Sequence, residues 1–320
     1  MRLDRALREE LSLTLKLEEE FWALKSRVGW VVDGDRNTKF FHTSTIIRRR
    51  FNKILRLKNS VGEWLENSDI IRDHIQSVFI DLFSSSHTAS IPCLGPVPFA
   101  PRVSDEESLA LESPCSPSEV KLSLWAMKPF KAPGPDGLHP GFFQRCWPQV
   151  RDSVTQEVIK VFQTGKLPEY LNYTLIALIP KCSGPETIGQ FRPISLCNTV
   201  YKMVTKTIVN RIRPLLSHLV SPYQSAFVPG RRGVDNVIIA QELIHSMHRK
   251  KGRVGSLILK VDLEKAYDRL EWSFIREVLL FFLFPKSLVD LILDCVSSSS
   301  ISILLNGGKM EVFKPSRGIR

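Results

Sequence analysis

Asp262 stands near the end of the largely apolar run SLILKVDL, and a carboxylate on such a strand is costly to bury unless it is hydrogen-bonded, paired with a cation or bound to a metal. Spacing allows two readings: Asp262 caps the helix expected over EKAYDRLEW, or it is a ligand for a divalent cation. Two-metal phosphoryl transfer needs carboxylates that serve both the attacking and the leaving oxygen, and the sequence contains no Asp-Asp pair. Lys181 and Arg192 stand beside Pro180 and Pro193 in LIALIPK and FRPISL, at a strand end and in a turn. There they would clamp a triphosphate, Arg bidentately and Lys as a point charge, or else sit solvated on a loop. Neither GxGxxG nor GxxxxGK occurs, so a Rossmann or Walker-type phosphate cradle has no support.

The wider charge pattern points the same way. Lys and Arg number 44 against 33 Asp and Glu, a net +11 that favours polyanionic partners. The excess gathers in two blocks. Residues 31–58 hold eight Lys/Arg, among them Arg48, Arg49 and Arg50, against two Asp, and residues 200–253 hold ten, including Arg231 and Arg232, against one Asp and one Glu. A solvated helix face accounts for part of this; two separate basic blocks suit a nucleic-acid track, because contact with backbone phosphates needs only distributed positive charge. No apolar run reaches the ~18 residues of a bilayer span, so no membrane partner is expected. The N-terminus lacks the h-region of a secretory signal. Six cysteines without CxxC spacing argue against a zinc site or disulfide framework and fit a reduced, nuclear or cytoplasmic location rather than a secreted one.

These residues need elements to position them. Leucines and Phe21 at three-to-four spacing predict an amphipathic helix over roughly 2–27, and TKFFHTSTIIRRRFNKILRLKN predicts a second, capped by Asn37 or Thr38. Residues 84–140 hold ten of the twenty prolines, which predicts linker and loop rather than regular core. Downstream, TLIALI (174–179) and SLILKVDL (256–263) read as strands, ISILLN and KMEVF around Gly307 and Gly308 as a hairpin, and residues 197–219 and 264–284 as helical. The expected class is α+β: a helical basic extension over 1–83, a linker over 84–103, and a sheet covered by helices over 104–320.

APGPDGLHPGFFQRCW, FRPISLCN, NRIRPLLSHLVSPYQSAFVPGR, KVDLEKAYDRLEW, SILLNG and FKPSRGIR, in this chain order, resemble the reverse transcriptase of plant LINE-type (non-LTR) retrotransposons. GDRNTKFFH and the basic helix resemble the segment preceding that polymerase. The resemblance implies a right-hand polymerase, here its fingers and the first half of its palm, that copies an RNA template from a DNA primer or target with dNTPs and two Mg2+ ions. It implies Asp262 as the catalytic, metal-binding aspartate, with the Leu263 carbonyl on the same ion. Lys265 and Ala266 would offer backbone amides to the triphosphate, and Tyr267 would be the steric gate against a ribose 2′-hydroxyl. Arg192 and Lys181 would hold phosphates, and residues 227–236 would meet template and primer. The family pattern continues past SRGIR to the turn carrying the second carboxylates, so the chain is expected to be truncated and inactive alone; a catalytically dead nucleic-acid-binding remnant is the alternative. Leu283 stands where the family's FGFP turn has Gly, a change that excludes φ > 0 there unless strain is accepted.

Overall fold

The computed structural model describes residues 2–26, 38–85, 101–252 and 255–319. In chain order its elements are α1 (Arg2–Ser26), α2 (Thr38–Phe51), β1 (Leu57–Lys58), β2 (Trp64–Leu65), α3 (Ser68–Phe83), α4 (Asp105–Glu112), α5 (Pro117–Trp125), α6 (Pro140–Arg145) and α7 (Trp147–Thr164). They continue with β3 (Tyr173–Pro180), β4 (Phe191–Cys197), α8 (Thr199–Ile212), α9 (Leu216–Leu219), α10 (Gly233–Arg249), α11 (Ala266–Arg269), α12 (Trp272–Phe281), α13 (Lys286–Ser297), β5 (Ser300–Leu305) and β6 (Gly308–Lys309). The mixture of helix and sheet is the expected class. Two compact units interleave along the chain: Met1–Gln76, Ile176–Ile194 and Ile303–Glu311 form one, and Ser77–Leu175, Ser195–Ser302 and Val312–Arg320 the other.

In the first unit α1 and α2 pair as expected, although α2 stops at Phe51, short of the predicted Asn59; Asn37, one of the two expected caps, lies outside the described residues. Most of the predicted linker, residues 86–100, also lies outside them. The β1–β2 hairpin pairs Leu57 with Leu65 and Lys58 with Trp64, whose ring is met by Arg56 at 4.4 Å and Lys58 at 4.7 Å. β5 and β6 are joined by Asn306 (φ 52°) and Gly307 (φ 93°), the left-handed pair that a two-residue hairpin turn requires. Asn306 also clamps Ile54: its Nδ2 donates to the Ile54 carbonyl and its Oδ1 accepts from the Ile54 N–H, both at 2.8 Å. KMEVF contributes less strand than predicted, since β6 ends at Lys309; beyond it Met310 N–H donates to the Ile303 carbonyl and Phe313 pairs with Ile301 as an isolated bridge.

The second unit is built on a helical core in which Val120 and Leu124 of α5, Val158 and Val161 of α7, Met203 and Val204 of α8 and Val289 of α13 are buried. Residues 105–125 therefore correct the expectation of loop. Their prolines and serines mark helix starts rather than chain without structure. Ser104 and Ser116 each close a reciprocal capping box with the Glu three residues on, and Pro117 occupies a first-turn position where its missing N–H costs nothing. Arg211, in the basic NRIRP cluster, is turned inward onto Glu119 (2.8 and 3.0 Å) and the carbonyls of Leu111, Ser113 and Pro114.

The sheet runs β4-β3-β5-β6, with TLIALI inside β3 as expected. SLILKVDL corrects the other strand prediction. It is extended but lies in no sheet, and Leu257, Leu259 and Val261 are 89%, 79% and 70% exposed. Its alternation of side chains suits a strand, but a strand forms only where a neighbour accepts its backbone bonds, and no described strand lies beside it. At the end of α12 the chain turns through Leu283 at φ 60°, with Leu283 N–H donating to the Leu280 carbonyl and Phe284 N–H to that of Leu279. The excluded conformation is thus present, with its strain.

Candidate nucleotide and nucleic-acid site

The segment after Asp262 makes a sharp turn because Lys265 adopts a left-handed conformation (φ 51°, ψ 41°) immediately before α11. Asp262 is exposed and does not cap α11, whose N-cap is Lys265, so the capping reading of Asp262 is removed. Leu263, Ala266 and Tyr267 are exposed and Lys265 partly so; the turn brings all five residues together on one short stretch of surface. Tyr267 is 59% exposed, and its ring meets Phe227 edge-on at 6.4 Å, which joins the FVPGRRG loop to the turn.

The turn is held from behind by residues 316–319, an association that spacing does not reveal. Ile319 N–H donates to the Tyr267 carbonyl and Gly318 N–H to that of Leu270, each at 2.8 Å, while the Trp272 indole returns a 2.8 Å bond to the Gly318 carbonyl. Only glycine fits at 318, because φ is +88° and a β-carbon would lie 2.6 Å from the Asp268 carbonyl. Arg317 donates to the carbonyls of Leu82 and Asp81 at the end of α3 and lies 3.7 Å from Glu271, whose Oε1 is buried without a hydrogen bond. Burial raises the Asp268 carboxyl above its ordinary range, opposed by the Lys265 charge.

Among the arginines expected to meet nucleic acid, Arg49, Arg50 and Arg232 are exposed. Arg48 instead donates to the carbonyls of Ser26 and Lys25, closing the end of α1. Arg231 donates to four carbonyls, those of Ser217, Val220, Ser221 and Gln224, at 2.5–2.9 Å, and so holds the loop before α10 in shape. Lys181 and Arg192 flank the β3–β4 connection in the first unit; Lys181 Nζ donates to the Gly189 carbonyl at 2.8 Å, and Arg192 is exposed.

APGPDGLHPGFF is more than a loop. A β-carbon on Gly134 would lie 2.4 Å from the Asn198 nitrogen, Asn198 Oδ1 accepts from Asp136 N–H, and Thr199 Oγ1 donates to the Leu138 carbonyl at 2.7 Å. The glycine is required for that close approach, which fixes the segment to the start of α8.

Asp262 could supply one carboxylate to a metal, but among the described residues no three His, Cys, Asp or Glu side chains converge as a metal site. These residues do not by themselves fit a Mg2+ ion. No helix among the described residues is long and apolar enough to cross a membrane.

Residues 179–320, which contain this turn and the segment behind it, match the family model described as reverse transcriptase (RNA-dependent DNA polymerase). Over 297 residues, 93% of this chain and 23% of the other, it is 30% identical to the Transposon TX1 uncharacterized 149 kDa protein of Xenopus laevis. Over 190 residues (59% and 17%) it is 25% identical to the retrovirus-related Pol polyprotein from type-2 retrotransposable element R2DM of Drosophila melanogaster. Over 247 residues (77% and 27%) it is 24% identical to that from type-1 retrotransposable element R2 of Bradysia coprophila. The chain thus spans about a quarter or less of the length of these relatives.

Proposed function

We infer that the chain carries part of the RNA-directed DNA polymerase of a non-LTR retrotransposon, the fingers and first half of the palm preceded by a helical basic extension. The reverse transcriptase match and the relatives support the polymerase. The observation that carries the reading is the exposed turn from Asp262 to Tyr267, inside the matched residues and braced by 316–319. The family reaction is template-directed DNA synthesis from dNTPs, in which a divalent metal, Mg2+ in this reading, offsets charge on the transferring phosphate. Asp262 is the residue proposed as its ligand, with the Leu263 carbonyl. The backbone amides of Lys265 and Ala266 would face the triphosphate, Lys181 and Arg192 would hold its phosphates, and the flat Tyr267 ring would leave no room for a 2′-hydroxyl. Arg49, Arg50 and Arg232 would run along backbone phosphates, while Arg48 and Arg231 support the surfaces those residues stand on.

A binding role without chemistry is the second reading, favoured by the absence, among the described residues, of any three His, Cys, Asp or Glu side chains placed to hold a metal. Primer extension on an RNA template with Mg2+ distinguishes the two. No product above a no-enzyme blank is expected from these 320 residues; template-dependent product that disappears in Asp262→Ala would instead establish catalysis by this chain alone.

A further inference from the structure

The crease between α5 and α7 carries a chemistry that the Asp262 turn does not use. Each helix sets an indole and a cation one turn apart: Lys121 and Trp125 on α5, Trp147 and Arg151 on α7. Trp125 and Trp147 meet edge-to-face, ring centroids 5.4 Å apart and planes at 83°, which fixes both rings. The Lys121 ammonium stands 5.5 Å from the Trp125 ring, and Trp125 remains 46% exposed. Between the helices lies an open cavity of about 530 Å3 lined by Lys121, Trp147, Arg151, Asp152 and Gln156, with Pro117 and Ser118 at the start of α5; Trp125 adjoins it through its contact with Trp147.

The electrostatics select an anion. The first turns of both helices line the cavity, so two positive helix ends add to the two cations. The nearby carboxylates do not cancel this. Glu119 is engaged by Arg211, and Asp152 lies 3.4 Å from Arg151 in a pair whose side chains are 61% and 81% exposed, an arrangement worth little in water. Arg151 can therefore exchange Asp152 for a phosphate, with which it makes stronger, charge-assisted bonds.

We propose that this crease binds single-stranded nucleic acid, one base stacked at the Trp125–Trp147 pair and its flanking phosphates held by Lys121 and Arg151. Aromatic side chains beside phosphate-binding cations are the combination that unpaired strands require. A duplex is excluded because its bases stack on one another and present no open face. The proposal rests on the nucleic-acid reading above and adds to it a defined anchor, separate from the Asp262 turn.

The test uses the full chain and a labelled ten-residue oligo(U), with a duplex of equal length as the comparison, across a salt series. Trp125→Ala should weaken oligo(U) binding about tenfold. Lys121→Ala with Arg151→Ala should reduce the salt slope by about 1.4, at ~0.7 per lost single-strand contact. Both should change duplex affinity less than twofold; the double variant should melt as the parent does because Lys121 and Arg151 are exposed, and Trp125→Ala, which loses its packing on Trp147, is compared with the parent at a temperature where both are folded. Salt-dependent oligo(U) binding that neither variant alters would overturn the site while leaving the general reading intact. No binding of either nucleic acid by the parent chain would remove both. Polyglutamate binding that falls equally in Trp125→Ala would identify an acidic-peptide groove and overturn the proposal.

Discussion

Leu283 holds a left-handed backbone, which costs a residue with a β-carbon about 1–2 kcal/mol, and its side chain is 51% exposed, so little burial offsets that cost. Leu283→Gly relieves that strain but gives back about 0.4–1 kcal/mol in unfolded-chain entropy, so a net stabilisation of about 0.5 kcal/mol, a Tm rise of roughly 1–2 °C by calorimetry, is expected; a lower Tm would mean that the leucine does packing work the strain does not outweigh. Arg231 and Arg232 make a second contrast. Arg231→Ala removes bonds to four carbonyls and should loosen residues 217–231 in hydrogen exchange, whereas Arg232→Ala should leave exchange unchanged and weaken nucleic-acid binding. At this scale residue type was legible and commitment was not. Asp262, Lys265 and Tyr267 could be located from their motif, but nothing in the letters RRR or GRRG tells which guanidinium is turned onto carbonyls. That depends on where distant backbone passes.

Among the elements, α5 and α8 are tied by the Arg211–Glu119 pair. The guanidinium bonded to Glu119 holds that carboxyl below its usual 4.5 despite partial burial. A group whose folded value lies below its unfolded one stabilises the fold fully above the unfolded value, and that contribution is lost as pH falls through the folded value. The Tm gap between the parent and Glu119→Gln should therefore be constant from pH 6 to 8 and close below about 4.5. Arg211→Ala should cost about 3 kcal/mol, with Arg211→Lys restoring less than half, since an ammonium cannot replace a bidentate fork. The hairpin separates in the same manner. Asn306→Gly keeps the left-handed turn but removes the clamp on Ile54, so a destabilisation of about 1–2 kcal/mol in urea melts is expected, chiefly from the two lost hydrogen bonds. The hairpin was legible because a turn is local. α4 and α5 were not legible from proline density, because proline marks helix starts as well as loops; SDEE and SPSE, the capping-box sequences, are the local signal that places them.

For the whole molecule, the exposed run at 256–263 and α10, none of whose residues is buried, present apolar surface and unpaired backbone together. Such edges recruit other chains, and the +11 charge opposes this only where it is concentrated. Size-exclusion chromatography should find soluble monomer the minor species, with Leu259→Lys and Val261→Lys raising its share; a monodisperse, cooperatively melting parent would contradict this. On duplex DNA, neutralising about 4 to 6 phosphates should give a slope of log K on log salt of roughly −4 to −5, and flat affinity would remove the phosphate track. The strand character of SLILKVDL was legible and its isolation was not, since pairing belongs to the sheet rather than to the segment. The bracing of Tyr267 by Gly318 and Ile319 carries a consequence in time. On the ribosome, this turn is made about fifty residues before the segment that closes behind it, which at ~5–20 residues per second leaves α11 without its brace for several seconds of every synthesis.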